Sequence, residues 1–86
     1  MELTEQDKQI LRDCGHPKSD MRQLCEAARR CKYENDKGEK LNAEKVIAII
    51  GRKNWLYGIS RAAFHWTSAR EDNGKYVSFD CSAMFK

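Results

Sequence analysis

The chain has 86 residues, 34% of them charged and 41% hydrophobic, with a formal net charge of +3. A chain this short makes one domain, residues 1–86, buries only about 60–65% of the surface that its unfolded form exposes, and leaves little room for a deep catalytic cleft. No apolar run approaches the roughly 18–20 residues of a membrane span, and the start Met1-Glu2-Leu3-Thr4-Glu5-Gln6-Asp7 is acidic where a secretory leader is basic. A cytoplasmic protein without a membrane partner is the expectation. The mixed charge describes a solvated surface that favours acidic partners mildly and permits nucleic acid without demanding it.

Thr4 is placed to cap a first helix through the amide of Asp7, with Glu5 and Asp7 at the positive end of its dipole. Gly15 and Pro17 end that helix. His16, in the turn, reads as a locally bonded or solvated histidine, with a ligand or base role as the alternative. Ser19 is expected to cap a second helix, whose Met21, Leu24, Cys25, Ala28 and Cys31 recur at helical spacing. Arg22, Glu26 and Arg30 lie on its other face and are spaced to pair. Arg29 and Arg30 suit a helix C-terminus, with an anion contact as the alternative.

Lys32–Asn35 reads as a short strand, Asp36-Lys37-Gly38 as a turn and Glu39–Leu41 as a returning strand. Asn42 is expected to cap a third helix through Ile50. Val46, Ile47, Ile49 and Ile50 make that helix the expected most buried element, closed by Gly51. A fourth helix is read over 53–70. Wound at about 100° per residue, it puts Trp55, Leu56, Ile59, Ala62, Ala63 and Trp66 on one face and Asn54, Tyr57, Arg61, His65 and Ser68 on the other. Asn73-Gly74 is a turn signal that would close a hairpin if residues 66–71 were a strand; the Trp55–Trp66 stripe favours helix there. Tyr76–Phe79 is a strand by composition, expected to pair near Tyr33, with a tail anchored by Phe85. The fold class is α+β, four helices with a two- to three-stranded, mostly antiparallel sheet.

The even count of four cysteines, Cys14, Cys25, Cys31 and Cys81, raises a disulfide framework, but cytoplasmic residence favours free thiols filling small apolar sites. The closest pair, Cys25-x5-Cys31, lacks zinc-site spacing, so neither metal nor cofactor is expected. No nucleotide-binding, hydrolase or metalloprotease motif is present. A binding protein rather than an enzyme is therefore expected.

The candidate binding residues are Arg52, Lys53, Asn54, Tyr57, Arg61 and His65. Helix three, the Gly51 corner and helix four echo a helix-turn-helix, although the turn reads about two residues too long. In that arrangement Arg61 would reach guanine, Asn54 adenine, and Arg52 and Lys53 phosphates. The same face would also serve a protein partner, since tyrosine, tryptophan and arginine supply interface hot spots. The plainest alternative is a solvated face with Tyr57 covering the sheet and Arg61 paired with Glu71 or Asp72.

Leu11-Arg12-Asp13-x-Gly15-His16-Pro17, Gly51-Arg52, Gly58-Ile59-Ser60-Arg61-x-Ala63-Phe64-His65-Trp66-Thr67 and Phe79-Asp80-x-Ser82 together resemble a group of short proteins carried by phages and mobile elements of Gram-positive bacteria. The group has an aromatic residue at the position of Cys14, which implies an apolar filling role for that cysteine. The resemblance brings no catalytic residues. It implies a small accessory protein acting in the host bacterial cytoplasm: an inhibitor of a host CRISPR-type defence complex, of the anti-CRISPR kind, or a small DNA-binding regulator. The partner implied is a host protein or protein–nucleic-acid complex, with nucleic acid as a further contact. A net charge of +3 departs from the strongly acidic character of DNA mimics.

Overall fold

A computed structural model describes residues 1–85. The elements run α1 (Glu5–Asp13), α2 (Met21–Arg30), β1 (Lys32–Asn35), β2 (Lys40–Leu41), α3 (Ala43–Ile50), α4 (Arg52–His65), β3 (Thr67–Asp72) and β4 (Lys75–Asp80), with 3-10 turns at Lys18–Asp20 and Ser82–Phe85. The four strands form one antiparallel sheet in the order β2-β1-β4-β3. The class is α+β as expected, with one strand more than the two or three read from the sequence.

The added strand replaces the end of the expected fourth helix. Helix α4 stops at His65, and residues 67–72 pair with β4 from Thr67 opposite Asp80 to Asp72 opposite Lys75. Two sequence features compete here. The helical stripe ends on Trp66, but Asn73 and Gly74 take φ values of 52° and 77°. Two positive φ values in succession suit the two-residue hairpin turn whose twist matches paired strands. The ladder formed through that turn runs the full six residues of each strand and adds an edge strand beside β4. Trp66 is the switch point. Its φ is 70° and ψ −42°, a sparsely populated backbone region for a bulky residue, and its carbonyl accepts from the Cys81 amide at 2.7 Å. The indole is consequently 59% exposed instead of joining the core stripe.

The rest of that stripe is as expected: Trp55, Leu56, Ile59, Ala62 and Ala63 are each fully buried. They make α4, not α3, the most buried helix. Helix α3 spans only two turns, so Val46 and Ile50 alone turn fully inward while Ile47 and Ile49 flank them half-buried. Asn42 caps α3 as expected, accepting from the Lys45 amide at 2.9 Å. Thr4 caps α1, its hydroxyl accepting from the Asp7 amide at 3.1 Å while the Asp7 carboxylate accepts from the Thr4 amide at 2.9 Å. Ser19 does not cap α2. It sits within the 3-10 turn, and the helix begins after Asp20, whose own side chain makes no capping bond because His16 engages it.

Helix α4 crosses the inner face of the sheet over Phe79. Gly58 is the contact point: an added Cβ would come within 2.3–2.7 Å of three Phe79 ring atoms. Glycine inside a helix costs about 1 kcal/mol against alanine, and here the close approach of helix and ring requires it. Phe79 is 1% exposed and meets Tyr33 edge-on with ring centroids 5.3 Å apart. The Tyr33 hydroxyl accepts from the Trp55 indole at 3.0 Å, which satisfies two buried polar atoms with one bond. Gly58→Ala is expected to destabilise the fold by about 1–3 kcal/mol through overpacking, despite alanine's better helix propensity, measured by urea denaturation of the two proteins.

Candidate functional site

The residues singled out on α4 separate into two groups. Arg52, at the helix start, is committed to the fold: Nε donates to Asp7 Oδ1 at 2.8 Å and Nη2 to Oδ2 at 2.5 Å. Its guanidinium lies 5.4 Å from the Trp55 ring centroid. Asp7 is 2% exposed. The Arg52 hydrogen bonds hold its carboxyl below the ordinary carboxylate value, helped by the Thr4 amide and opposed by burial. The same pairing raises Arg52. Such a bidentate bond leaves Arg52 ill suited to the phosphate role expected for it. Asn54 is also engaged. Its amide nitrogen donates to the Ile50 carbonyl at 2.8 Å, across the joint between α3 and α4, and its oxygen accepts from Arg70 at 3.4 Å.

Lys53, Arg61 and His65 are exposed, and none of the three makes an ion pair among the described residues. Tyr57 is half-buried, with the Arg70 guanidinium 5.3 Å from its ring centroid. Arg70 thus takes the place beside Tyr57, and Arg61 is not paired with Glu71 or Asp72. Phe64, which the sequence reading passed over, is 37% exposed on the same side of α4. Positions 53, 57, 61 and 64 follow helical spacing, so one outward stripe carries Lys53, Tyr57, Arg61 and Phe64, with His65 beside it. No residue of α4 is acidic. Ser68 lies outside the stripe: it belongs to β3 opposite Phe79, and its hydroxyl is buried without a partner among the described residues.

A second polar constellation was not visible in the sequence. His16 Nδ1 is 2.8 Å from Asp20 Oδ2, Nε2 is hydrogen-bonded to the Ser60 hydroxyl, and Phe64 stacks on the imidazole at 5.6 Å and 21°. With Nδ1–H donating to Asp20, Nε2 is left to accept from Ser60. The order Asp–His–Ser is that of an acyl-transfer triad, but its setting is not. Ser60 lies in the interior of α4, where neighbouring backbone amides are spent in the helix and supply no oxyanion donors. Four surface concavities of about 330–510 Å³ are lined by none of the three. The network fastens the turn after α1 to the middle of α4. His16 is therefore bonded both locally, as expected, and across 44 positions of sequence.

The joint between α3 and α4 is the single residue Gly51, at φ 88°. A helix-turn-helix uses a turn of about 3–4 residues, so the joint is shorter than that unit needs, not longer as the sequence reading had it. Arg29 pairs with Glu2 at 2.8 Å, and Arg30 with Glu26 at 3.8 Å, which occupies both ends of the Arg29–Arg30 pair. The cysteines are all free thiols. Cys31 and Cys81 are buried, whereas Cys14 is exposed, contrary to its expected filling role, because the chain turns away from the core at Gly15.

Comparison with known protein families, curated proteins and solved structures found no match.

Two outcomes follow from the Asp7–Arg52 pair. Arg52→Ala is expected to destabilise the protein by about 2–4 kcal/mol, less than a fully buried pair because the guanidinium is partly solvated; thermal unfolding measures it. Because the folded carboxyl lies below its unfolded value, the contribution is complete above roughly pH 4–5 and is lost as pH falls through the depressed folded value. Asp7→Asn should accordingly remove part of the acid-side loss in a pH series of urea midpoints.

Proposed function

We propose that this is a small, non-enzymatic, phage-type binding protein that inhibits a host CRISPR-type nucleic-acid-targeting complex stoichiometrically, docking through the outward stripe of α4. The observation that carries the docking face is the contrast along that helix. Its inner side is fully buried against the sheet and the other helices, while its outer side presents Lys53, Tyr57, Arg61 and Phe64, with no acidic residue on the helix and no ion pair at Lys53 or Arg61 among the described residues. A rigid helix bearing arginine and aromatic side chains is an economical binding surface, because few rotamers are lost on contact. The class of partner comes from the resemblance of the Gly15-His16-Pro17 and Gly58–Thr67 segments to phage-borne accessory proteins. The basic stripe suits a partner that offers an acidic protein surface or bound nucleic acid.

The second reading, a helix-turn-helix-like DNA regulator, draws on the same free cations. It is weakened by the one-residue joint and by the engagement of Arg52 and Asn54 within the fold. The two readings separate in a pull-down of the tagged protein from bacterial lysate, with and without nuclease. The inhibitor reading expects a discrete large partner that survives nuclease. Loss of all bound material on nuclease treatment overturns it in favour of DNA. Arg61→Ala is expected to weaken capture about 10- to 100-fold, a hot-spot loss of about 1.4–2.8 kcal/mol, with stability changed by no more than about 0.5 kcal/mol; titration calorimetry and thermal unfolding of the same variant check both.

A further inference from the structure

Cys31 and Cys81 stand 50 positions apart in the sequence and side by side in the fold. Cys31 immediately precedes β1, Cys81 immediately follows β4, and these central strands pair antiparallel with Lys32 opposite Asp80. The next step of that register sets Cys31 opposite Cys81. Both fall on the inner face that also carries Tyr33 and Phe79, because side chains alternate along a strand. Directly opposed residues have Cα atoms about 4.5–5.5 Å apart, inside the roughly 4.4–6.8 Å span that a disulfide bridges. Each sulfur lies near enough to the other to perturb its ionisation.

The pair is asymmetric in access. Cys81 is fully buried, whereas Cys31 is 9% exposed. Cys31 lines a concavity of about 510 Å³ whose charged residues are Arg29, Lys32 and Lys40, with no carboxylate in the lining. Arg29 and Lys40 have exposed partners in Glu2 and Glu34; such surface pairs are weak and exchange readily with a competing anion.

We propose that Cys31 and Cys81 form a two-cysteine exchange site that takes a small anionic disulfide, with Cys31 as the attacking sulfur and Cys81 as the resolving one. Cys31 thiolate attacks one sulfur of the small disulfide RSSR, forming a Cys31–SR bond and releasing RS⁻. Cys81 thiolate then attacks Cys31 Sγ, forming the Cys31–Cys81 bond and releasing the second RS⁻. The two thiol protons pass to the released thiolates, so the protein dithiol loses two electrons and RSSR gains them as two RSH. The Cys81 sulfur and burial push the Cys31 thiol up, and the Cys31 sulfur draws Cys81 down. The first proton lost belongs to the pair, and access from the concavity makes Cys31 the sulfur at which exchange begins. The cationic rim supplies the attraction for the anionic groups of RSSR, and the product bond fastens the two central strands together.

The test uses the full reduced chain and oxidised glutathione, followed by alkylation and peptide mapping. The expected product is a Cys31–Cys81 disulfide with two glutathiones released per bond, and a midpoint of thermal unfolding raised by roughly 10 °C. Cys81→Ser should retain a glutathione on Cys31. The wild-type map is decisive even if that variant fails to fold. Glutathione confined to Cys14 and Cys25, with Cys31 and Cys81 still alkylated as thiols after unfolding, overturns the proposal.

Discussion

Helix α4 lies against the Phe79 ring with no side chain between them at Gly58, and the remaining geometry follows from that close contact. A helix resting directly on a ring brings its flanking residues down onto the sheet. Trp55 reaches the Tyr33 hydroxyl, and Ile59 and Ala62 are fully buried in the core. The small residues Gly58, Ala62 and Ala63 are where the helix has its neighbours; the large ones, Trp55, Leu56 and Ile59, fill the space to either side. In a core this thin, packing density cannot be recovered elsewhere if the helix is lifted.

The same helix gathers the periphery through a set of polar bonds, each to a different part of the chain. Arg52 holds α1 through Asp7. Ser60 holds the turn after α1 through His16. The Ala63 carbonyl accepts from Gln23 of α2 at 2.6 Å, and Asn54 meets Arg70 of β3. Polar residues on one helix thus serve two different ends. Those directed sideways are absorbed by the fold, and those directed outward, Lys53 and Arg61, face solvent and make no ion pair among the described residues. Both kinds look alike along the sequence, because helical spacing reports the angle around the axis and not what stands at that angle.

This explains which features were legible in advance. Caps at Thr4 and Asn42, the apolar face from Trp55 to Ala63 and the pairing of the last strand with the strand at Tyr33 rest on local chemistry or strong periodicity, and the fold has them. Trp66 was misplaced because it extends the helical period by one step while the Asn73-Gly74 turn, seven residues later, pulls the segment into a hairpin; the long-range ladder prevailed over the local pattern. Arg52 looked like a phosphate ligand because Asp7, 45 positions earlier, is invisible to any window of sequence. The His16–Ser60 and Cys31–Cys81 neighbours were hidden for the same reason, since each joins residues that only the sheet and its covering helix bring together.

The strand order has a consequence for how the molecule comes into being. The two central strands are residues 32–35 and 75–80, so the middle of the sheet cannot close until the last strand has left the ribosome. Helices α1, α2 and α3, which pack on α4, are made before it, so what the earlier segments lack is the strand that carries Val77 and Phe79. Closing the sheet joins β1 to β4 across a long loop, a pairing that is entropically costly and slow to form. Until that strand arrives, the face of α4 at Gly58 lacks the Phe79 ring on which it rests.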